Sequence, residues 1–202
     1  MSLWAVIPVK PLRRGKSRLI SVLSECERTL LNKRMLISTL RNIREVPQID
    51  GFVVISCDPE VLAIASENGA RTVKESRFTD INRALRYATI AVRSYNASEI
   101  LILPADLPLI NREDIIQLIN RSGNPPEIII SSDRRQDGTN ALMINPIGIL
   151  EYDFGVMSFR KHIKQAEKKG LRIDIYNSDK LSYDLDLPED LELLKAKGLM
   201  IL

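Results

Sequence analysis

Short apolar runs alternate with amphipathic stretches along most of the chain. The run Leu3-Trp4-Ala5-Val6-Ile7 predicts a first strand. Ser24 and Glu27 form a capping-box pair, and Leu30, Leu31, Met35, Leu36, Leu40 and Ile43 then repeat at helical spacing until Pro47 stops the pattern. Gly51 to Ser56 predicts a buried strand, Pro59 to Asn68 a helix closed by Gly69, and Arg71 to Lys74 a short strand. A helix is expected from about Thr79 to Ser94, capped by Thr79 or Asp80. Ile100-Leu101-Ile102-Leu103 is the clearest central strand, because a run apolar on both faces belongs in a parallel sheet covered on both sides. A helix near Arg112–Asn120, strands at Ile128–Ser131 and Ala141–Asn145, and a helix–strand–helix unit from Ser158 onward complete the pattern, with Leu191 to Lys197 closing it. Such alternation implies a single three-layer α/β domain over residues 1–202.

Composition narrows the function without naming it. A length of 202 residues suits one full core rather than two. The net charge of +3 is too small, and the basic residues too dispersed, for a nucleic-acid binder. Cys26 and Cys57 make neither a disulfide framework nor a CxxC pair, and a single histidine, His162, excludes a zinc site built from His and Cys. The opening residues run from an apolar strand into Lys10, unlike a signal peptide, and no apolar run approaches membrane-spanning length. A cytoplasmic protein with no membrane contact is expected.

Open α/β sheets bind ligands at the carboxyl ends of their strands, which singles out four loops. The first, Val9 to Leu19, carries Lys10, Arg13, Arg14, Lys16 and Arg18. It leaves the first strand and is read as entering a helix whose N-terminus favours anions, so it would hold a polyphosphate and offset charge on a leaving group, or serve as an ordinary solvated basic loop. The second places Asp106 between Pro104 and Pro108 after the central strand, suited to Mg²⁺ or to a turn. In the third, Asp184 and Asp186 alternate, so their carboxylates share a face and invite a cation between them. Asp186 could also cap the helix starting near Pro188. The fourth joins Asp137-Gly138-Thr139-Asn140 to Phe154-Gly155 and Ser158. There Ser158 opens a helix able to hold an anion or acts as an ordinary cap, and Asp137-Gly138 reads as a hairpin turn. His162 reads as a structural or substrate-edge residue rather than a catalytic one.

Together these segments resemble one family over nearly the whole chain. Pro8-Val9-Lys10 with Lys16-Ser17-Arg18-Leu19, Asp106-Leu107-Pro108, Gly138-Thr139-Asn140, Phe154-Gly155 with Ser158-Phe159, and Asp184-Leu185-Asp186 with Pro188 are similar to the 2-phospho-L-lactate guanylyltransferases of coenzyme F420 biosynthesis, whose bacterial relatives accept phosphoenolpyruvate. The resemblance implies a nucleotide-diphospho-sugar transferase-like fold with a mixed, mostly parallel sheet, and transfer of GMP from GTP to a small phosphorylated acid, with pyrophosphate leaving. It implies Lys10, Lys16 and Arg18 on the triphosphate, with Lys16, Asp106 and Asp186 central to catalysis. Asp106 and Asp186, with Asp184, would bind Mg²⁺. Thr139, Gly155 and Ser158 would hold the acceptor, while Asn82 and Asp58 would lie on the nucleotide side. The sequence departs from the family pattern at Arg83, where a small residue is usual, at Arg14-Gly15, and at Asp58, which carries one of two acidic residues often found there.

Phosphoryl-type transfer needs positioning and charge neutralisation, so the lack of a Ser–His–Asp arrangement fits this reading. Related transferases for another nucleotide or acceptor usually have a glycine-rich first loop, whereas this loop has only Gly15. A non-catalytic nucleotide-binding regulator is a rival that pyrophosphate release would discriminate. Several long apolar helices make a homodimer plausible. The sequence does not separate 2-phospholactate, phosphoenolpyruvate and 3-phosphoglycerate as acceptors.

Overall fold

A computed structural model describes residues 2–76 and 80–196. Its elements run β1 (Leu3–Pro8), α1 (Glu25–Arg44), β2 (Gly51–Ser56), α2 (Pro59–Glu67), β3 (Arg71–Lys74), α3 (Ile81–Arg93), β4 (Glu99–Ile102), α4 (Arg112–Ile119), β5 (Glu127–Ser132), β6 (Thr139–Asn145), α5 (Ser158–Lys168), β7 (Arg172–Ile175) and α6 (Pro188–Ala196). The expected three-layer domain is present. A seven-stranded sheet has the order β3-β2-β1-β4-β6-β5-β7, which puts β4 at its centre. Pairing is parallel except where β6 meets β4 and β5.

Alternation within β1 shows how the layers are filled. Leu3, Ala5 and Ile7 pack with α1, α2 and α4 residues such as Leu40, Ile64 and Leu118. Trp4 and Val6 pack on the opposite face with α3 and α5 residues such as Leu85 and Phe159. The capping box on α1 is formed: the Ser24 side chain accepts the Glu27 N–H and the Glu27 carboxylate accepts the Ser24 N–H. Asp80 caps α3 by accepting the N–H groups of Asn82 and Arg83. Thr79, the alternative cap, and Lys197, the expected last residue of the closing helix, lie outside the described residues. Among the described residues no helix is long and apolar enough to cross a membrane.

A third, smaller core holds the site together. Leu19 and Leu23 from the end of the basic loop pack with Leu31 and Met35 of α1 and with Tyr183, Leu185, Leu191 and Leu194 of the C-terminal segment. In the run Tyr183 to Asp186 the apolar residues turn into this core and the aspartates turn out of it. Leu19 and Leu185 are fully buried, and each such burial is worth about 1.5–3 kcal/mol. The Arg18–Asp186 ion pair joins the same two segments, but its side chains are 68% and 35% exposed, and exposed pairs contribute about 0–1 kcal/mol. Packing, not the ion pair, brings the C-terminal aspartates to the basic loop.

Candidate active site

The basic loop leaves β1 at the carboxyl edge of the sheet and is anchored on both sides. Asp58 Oδ2 accepts the Leu12 N–H at 2.9 Å while Asp58 Oδ1 accepts the Glu60 N–H, capping α2. Both Asp58 oxygens therefore serve the protein's own backbone, and the residue positions the loop. Asn32 of α1 donates to the Leu12 carbonyl at 2.7 Å. Gly15 lies so close to that amide that an added Cβ would sit 2.5 Å from Asn32 Nδ2. The expectation of a helix N-terminus aimed from this loop is corrected: Leu12–Arg14 and Ser17–Leu19 are single 3-10 turns, and α1 begins only at Glu25. Any anion here would meet side-chain charge rather than the dipole of a long helix.

Between those turns Lys16 adopts left-handed backbone (φ 55°). That conformation costs a non-glycine residue about 1 kcal/mol or more. It aims the ammonium at the second loop, where Nζ lies 2.7 Å from Asp106 Oδ2. The Lys16 side chain is 6% exposed and that of Asp106 40%, so the pair forms the floor of an open site. Burial alone would raise the Asp106 pKa, but the Lys16 charge and hydrogen bond outweigh it, with Lys10 adding to the effect, and hold it below the ordinary value. Lys10 itself is exposed.

Asp184 completes this cluster. The backbone carbonyl of Asp106 accepts the Leu185 N–H at 3.2 Å, tying the C-terminal segment to the end of β4. Burial and the neighbouring Asp106 charge push the Asp184 carboxyl up to about 6. Its Oδ1 is buried without a hydrogen-bond partner. A buried carboxylate oxygen lacking a donor, beside a second carboxylate, is a donor set for a hard divalent cation. Asp186 turns instead to Arg18, 2.5 Å away. Among the described residues no three Asp, Glu, His or Cys side chains are gathered closely enough to hold a metal. The fit therefore rests on Asp106 and Asp184, with Asp186 held nearby by an exposed arginine.

Asp186 does not cap α6. The fully buried Asp190 does that work, accepting the Asp186 and Leu187 N–H groups at 3.0 and 2.7 Å while binding Arg134 and Arg135. Sequence reasoning passed over Asp190, although an acidic residue three positions after Leu187 is the acidic half of a capping box.

The fourth region is a clamped loop. Asn82 uses both ends of its amide on Phe154, accepting the N–H at 2.7 Å and donating to the carbonyl at 3.1 Å. It thereby ties the start of α3 to the loop at Phe154. Asp137 Oδ1 accepts the Met157 N–H and the Asp137 carbonyl accepts the Phe159 N–H. These bonds correct two readings. The β5–β6 turn is not an Asp137-Gly138 hairpin but a longer connection from Asp133 to Gly138, closed by the Asp133 N–H on the Gly138 carbonyl. Ser158 is not the cap of α5: Met157 holds that position in left-handed backbone, and Ser158 is buried in the first turn. Of the N–H groups at this helix start, those of Met157 and Phe159 are therefore taken by Asp137 and that of Ser158 by the Gly155 carbonyl. Gly155, at φ 124° and with open space where a Cβ would project, keeps an accessible backbone beside them. Thr139 starts β6, buried against His162, with Oγ1 3.1 Å from Nδ1.

If Asn82 fixes this loop, Asn82→Ala removes both bonds, and amide exchange at Phe154 should quicken about tenfold, the equivalent of roughly 1 kcal/mol. Unchanged exchange would mean that the loop is held by other contacts.

A basic loop, a carboxylate pair and a glycine-bearing clamped loop thus meet at the carboxyl edge of a doubly covered sheet. This fold and site define a nucleotidyltransferase. Consistent with that class, a nucleotidyl transferase from Methanothermobacter thermautotroptrophicus superposes with a TM-score of 0.67 at 12% identity, covering 97% of each chain. Residues 3–199 match the family described as "Guanylyl transferase CofC like", and the chain belongs to that family. A phosphoenolpyruvate guanylyltransferase of Rubrobacter xylanophilus is 39% identical over 98% of this chain and 96% of its own. A 2-phospho-L-lactate guanylyltransferase of Methanocaldococcus vulcanius is 39% identical over 92% of this chain and 81% of its own.

Proposed function

We propose that the protein transfers GMP from GTP to 2-phospho-L-lactate or phosphoenolpyruvate, releasing pyrophosphate, as a step of coenzyme F420 biosynthesis. The observation that carries the reading is the partnerless Asp184 oxygen beside the Asp106–Lys16 pair. The names of the two relatives supply the base and the acceptors. An oxygen of the acceptor phosphate forms a bond to the α-phosphorus, and the bond from that phosphorus to the β-phosphate bridging oxygen breaks. The attacking oxygen is already anionic, so no general base is needed. Lys16, Lys10 and Arg18 neutralise the triphosphate and the departing pyrophosphate. Thr139 and the Gly155 backbone hold the acceptor, with buried Ser158 supporting the loop from beneath. Asp106 and Asp184, with Asp186 nearby, would hold Mg²⁺, which supplies positive charge to the phosphate oxygens. The protein works as a cytoplasmic homodimer in this proposal. Exposed Ile20, Val22 and Leu30 clustered before and within α1 support the dimer, and light scattering tests it.

Crossing four nucleoside triphosphates with the two acceptors in a pyrophosphate-release assay tests the reaction. Release is expected with GTP plus an acceptor, and absence of release in every combination would reject it.

The metal assignment carries a pH dependence. Asp184 holds its proton more tightly folded than unfolded, because its pKa is raised to about 6. Its stabilising contribution is therefore fully present below the unfolded value of 3.8 and is lost as pH rises through about 6. A divalent cation competes with that proton, so the rise in Tm on adding Mg²⁺ should grow between about pH 5 and pH 8. A Mg²⁺ effect that ignores pH over this range would remove Asp184 from the metal site.

A further inference from the structure

The one histidine lies where the proposed chemistry does not use it, yet both of its nitrogens are committed. His162 is fully buried on α5 and packs edge-on against Phe154 with ring centroids 4.9 Å apart. Its Nε2 lies 3.1 Å from the Asp153 backbone nitrogen, whose N–H points at the ring and can only donate. An imidazole nitrogen that accepts carries no proton. In the neutral ring the proton must then sit on Nδ1, 3.1 Å from Thr139 Oγ1. Thr139 Oγ1 consequently accepts from His162, and its own proton has to point elsewhere. Among the described residues that proton has no acceptor. Thr139 begins β6, which runs antiparallel beside β4, so its hydroxyl sits at the carboxyl edge where Asp106 follows β4.

We propose that His162 is a positioning residue that leaves the Thr139 proton free to be donated to the anionic acceptor, while its other nitrogen fixes the start of the acceptor loop at Asp153. This rests on the guanylyl-transfer reading for the identity of the acceptor. Burial agrees with it: desolvation lowers the imidazole pKa to about 4, against the attraction of Asp153, so the ring is neutral at pH 7. A histidine that merely fills the core would satisfy its nitrogens in either tautomer. Here the backbone N–H of Asp153 permits one, and the Thr139 proton is left for a partner other than His162.

A single histidine makes the tautomer directly measurable in the full chain. With ¹⁵N-labelled histidine at neutral pH, long-range ¹H–¹⁵N spectra should show a protonated Nδ1 and an unprotonated Nε2. A protonated Nε2, or an imidazolium, would overturn the proposal. Steady-state kinetics with GTP and phosphoenolpyruvate supply the second arm. His162→Phe keeps the ring and removes both nitrogens. It should raise the acceptor KM about ten- to hundredfold, the scale of a hydrogen bond to a charged group, with the GTP KM changed about twofold or less. In a Thr139→Val background the same substitution should add less than about a third of that factor, because the hydroxyl through which it acts is gone. Multiplicative effects in the double variant would overturn the proposal. The NMR arm needs only folded wild-type protein, so it decides even if His162→Phe does not fold. It also reads the tautomer independently of turnover, which separates its failure from a failure of guanylyl transfer.

Discussion

Asp106→Asn is expected to abolish most turnover while leaving the fold intact. The substitution preserves shape and size but removes the charge that Lys16 holds at 2.7 Å and that raises the neighbouring Asp184. The variant loses one of the two carboxylates that would hold the cation, and Lys16 becomes free to pair with Asp184 instead. A lost metal ligand forfeits several kcal/mol of transition-state charge stabilisation. At about 1.4 kcal/mol per tenfold, the pyrophosphate-release rate should drop by roughly 10²–10³. Excess Mg²⁺ should recover only part of it. Near wild-type rates at limiting Mg²⁺ would mean that Asp106 is an ordinary turn residue and that the cation, if any, binds elsewhere.

Lys16→Ala should act on a different quantity. The ammonium faces Asp106 in the free protein, but a triphosphate entering the basic loop offers it a stronger anion. Assigned to the departing pyrophosphate, it contributes most when negative charge builds on that group. The expected result is a fall in kcat of about 10²-fold or more at saturating GTP, with the acceptor KM little changed. The substitution also leaves Asp106 and Asp184 facing each other without a cation, so Mg²⁺ should raise the Tm of the variant more than that of the wild type. An unchanged kcat with only the acceptor KM raised would place Lys16 on the acceptor half of the pocket.

Periodicity carried most of the fold. Continuous apolar runs located β2 and β4, and the Ser24–Glu27 pair located the start of α1, because those signals are local. That Lys16, Asp106 and Asp184 gather was also legible, since polar residues just past strand ends sit at the carboxyl edge whatever the partners. Which polar atoms remain free was not. The resemblance puts Asn82 on the nucleotide side, and both ends of its amide bond Phe154, 72 residues away. Asp58 reads as a site acid, yet its two oxygens hold Leu12 and cap α2. Ser158 reads as a cap, yet the left-handed Met157 and the side chain of Asp137 perform that role. In each case a polar side chain's hydrogen-bonding capacity is engaged over long sequence separations that no local pattern records. Asp184 shows the converse. Its alternation with Asp186 gave equal weight to both, and only packing reveals that Asp184 faces Asp106 with an oxygen unsatisfied while Asp186 meets an arginine.

Phosphorus NMR of the reaction products tests the central claim most directly. With GTP, Mg²⁺ and either phosphoenolpyruvate or 2-phospho-L-lactate, the account predicts two coupled phosphorus resonances from a new diphosphate diester joining guanosine to the acid, together with an equal amount of pyrophosphate. Formation of GDP and inorganic phosphate with the acid unchanged, or GTP left intact with both acceptors, would contradict it.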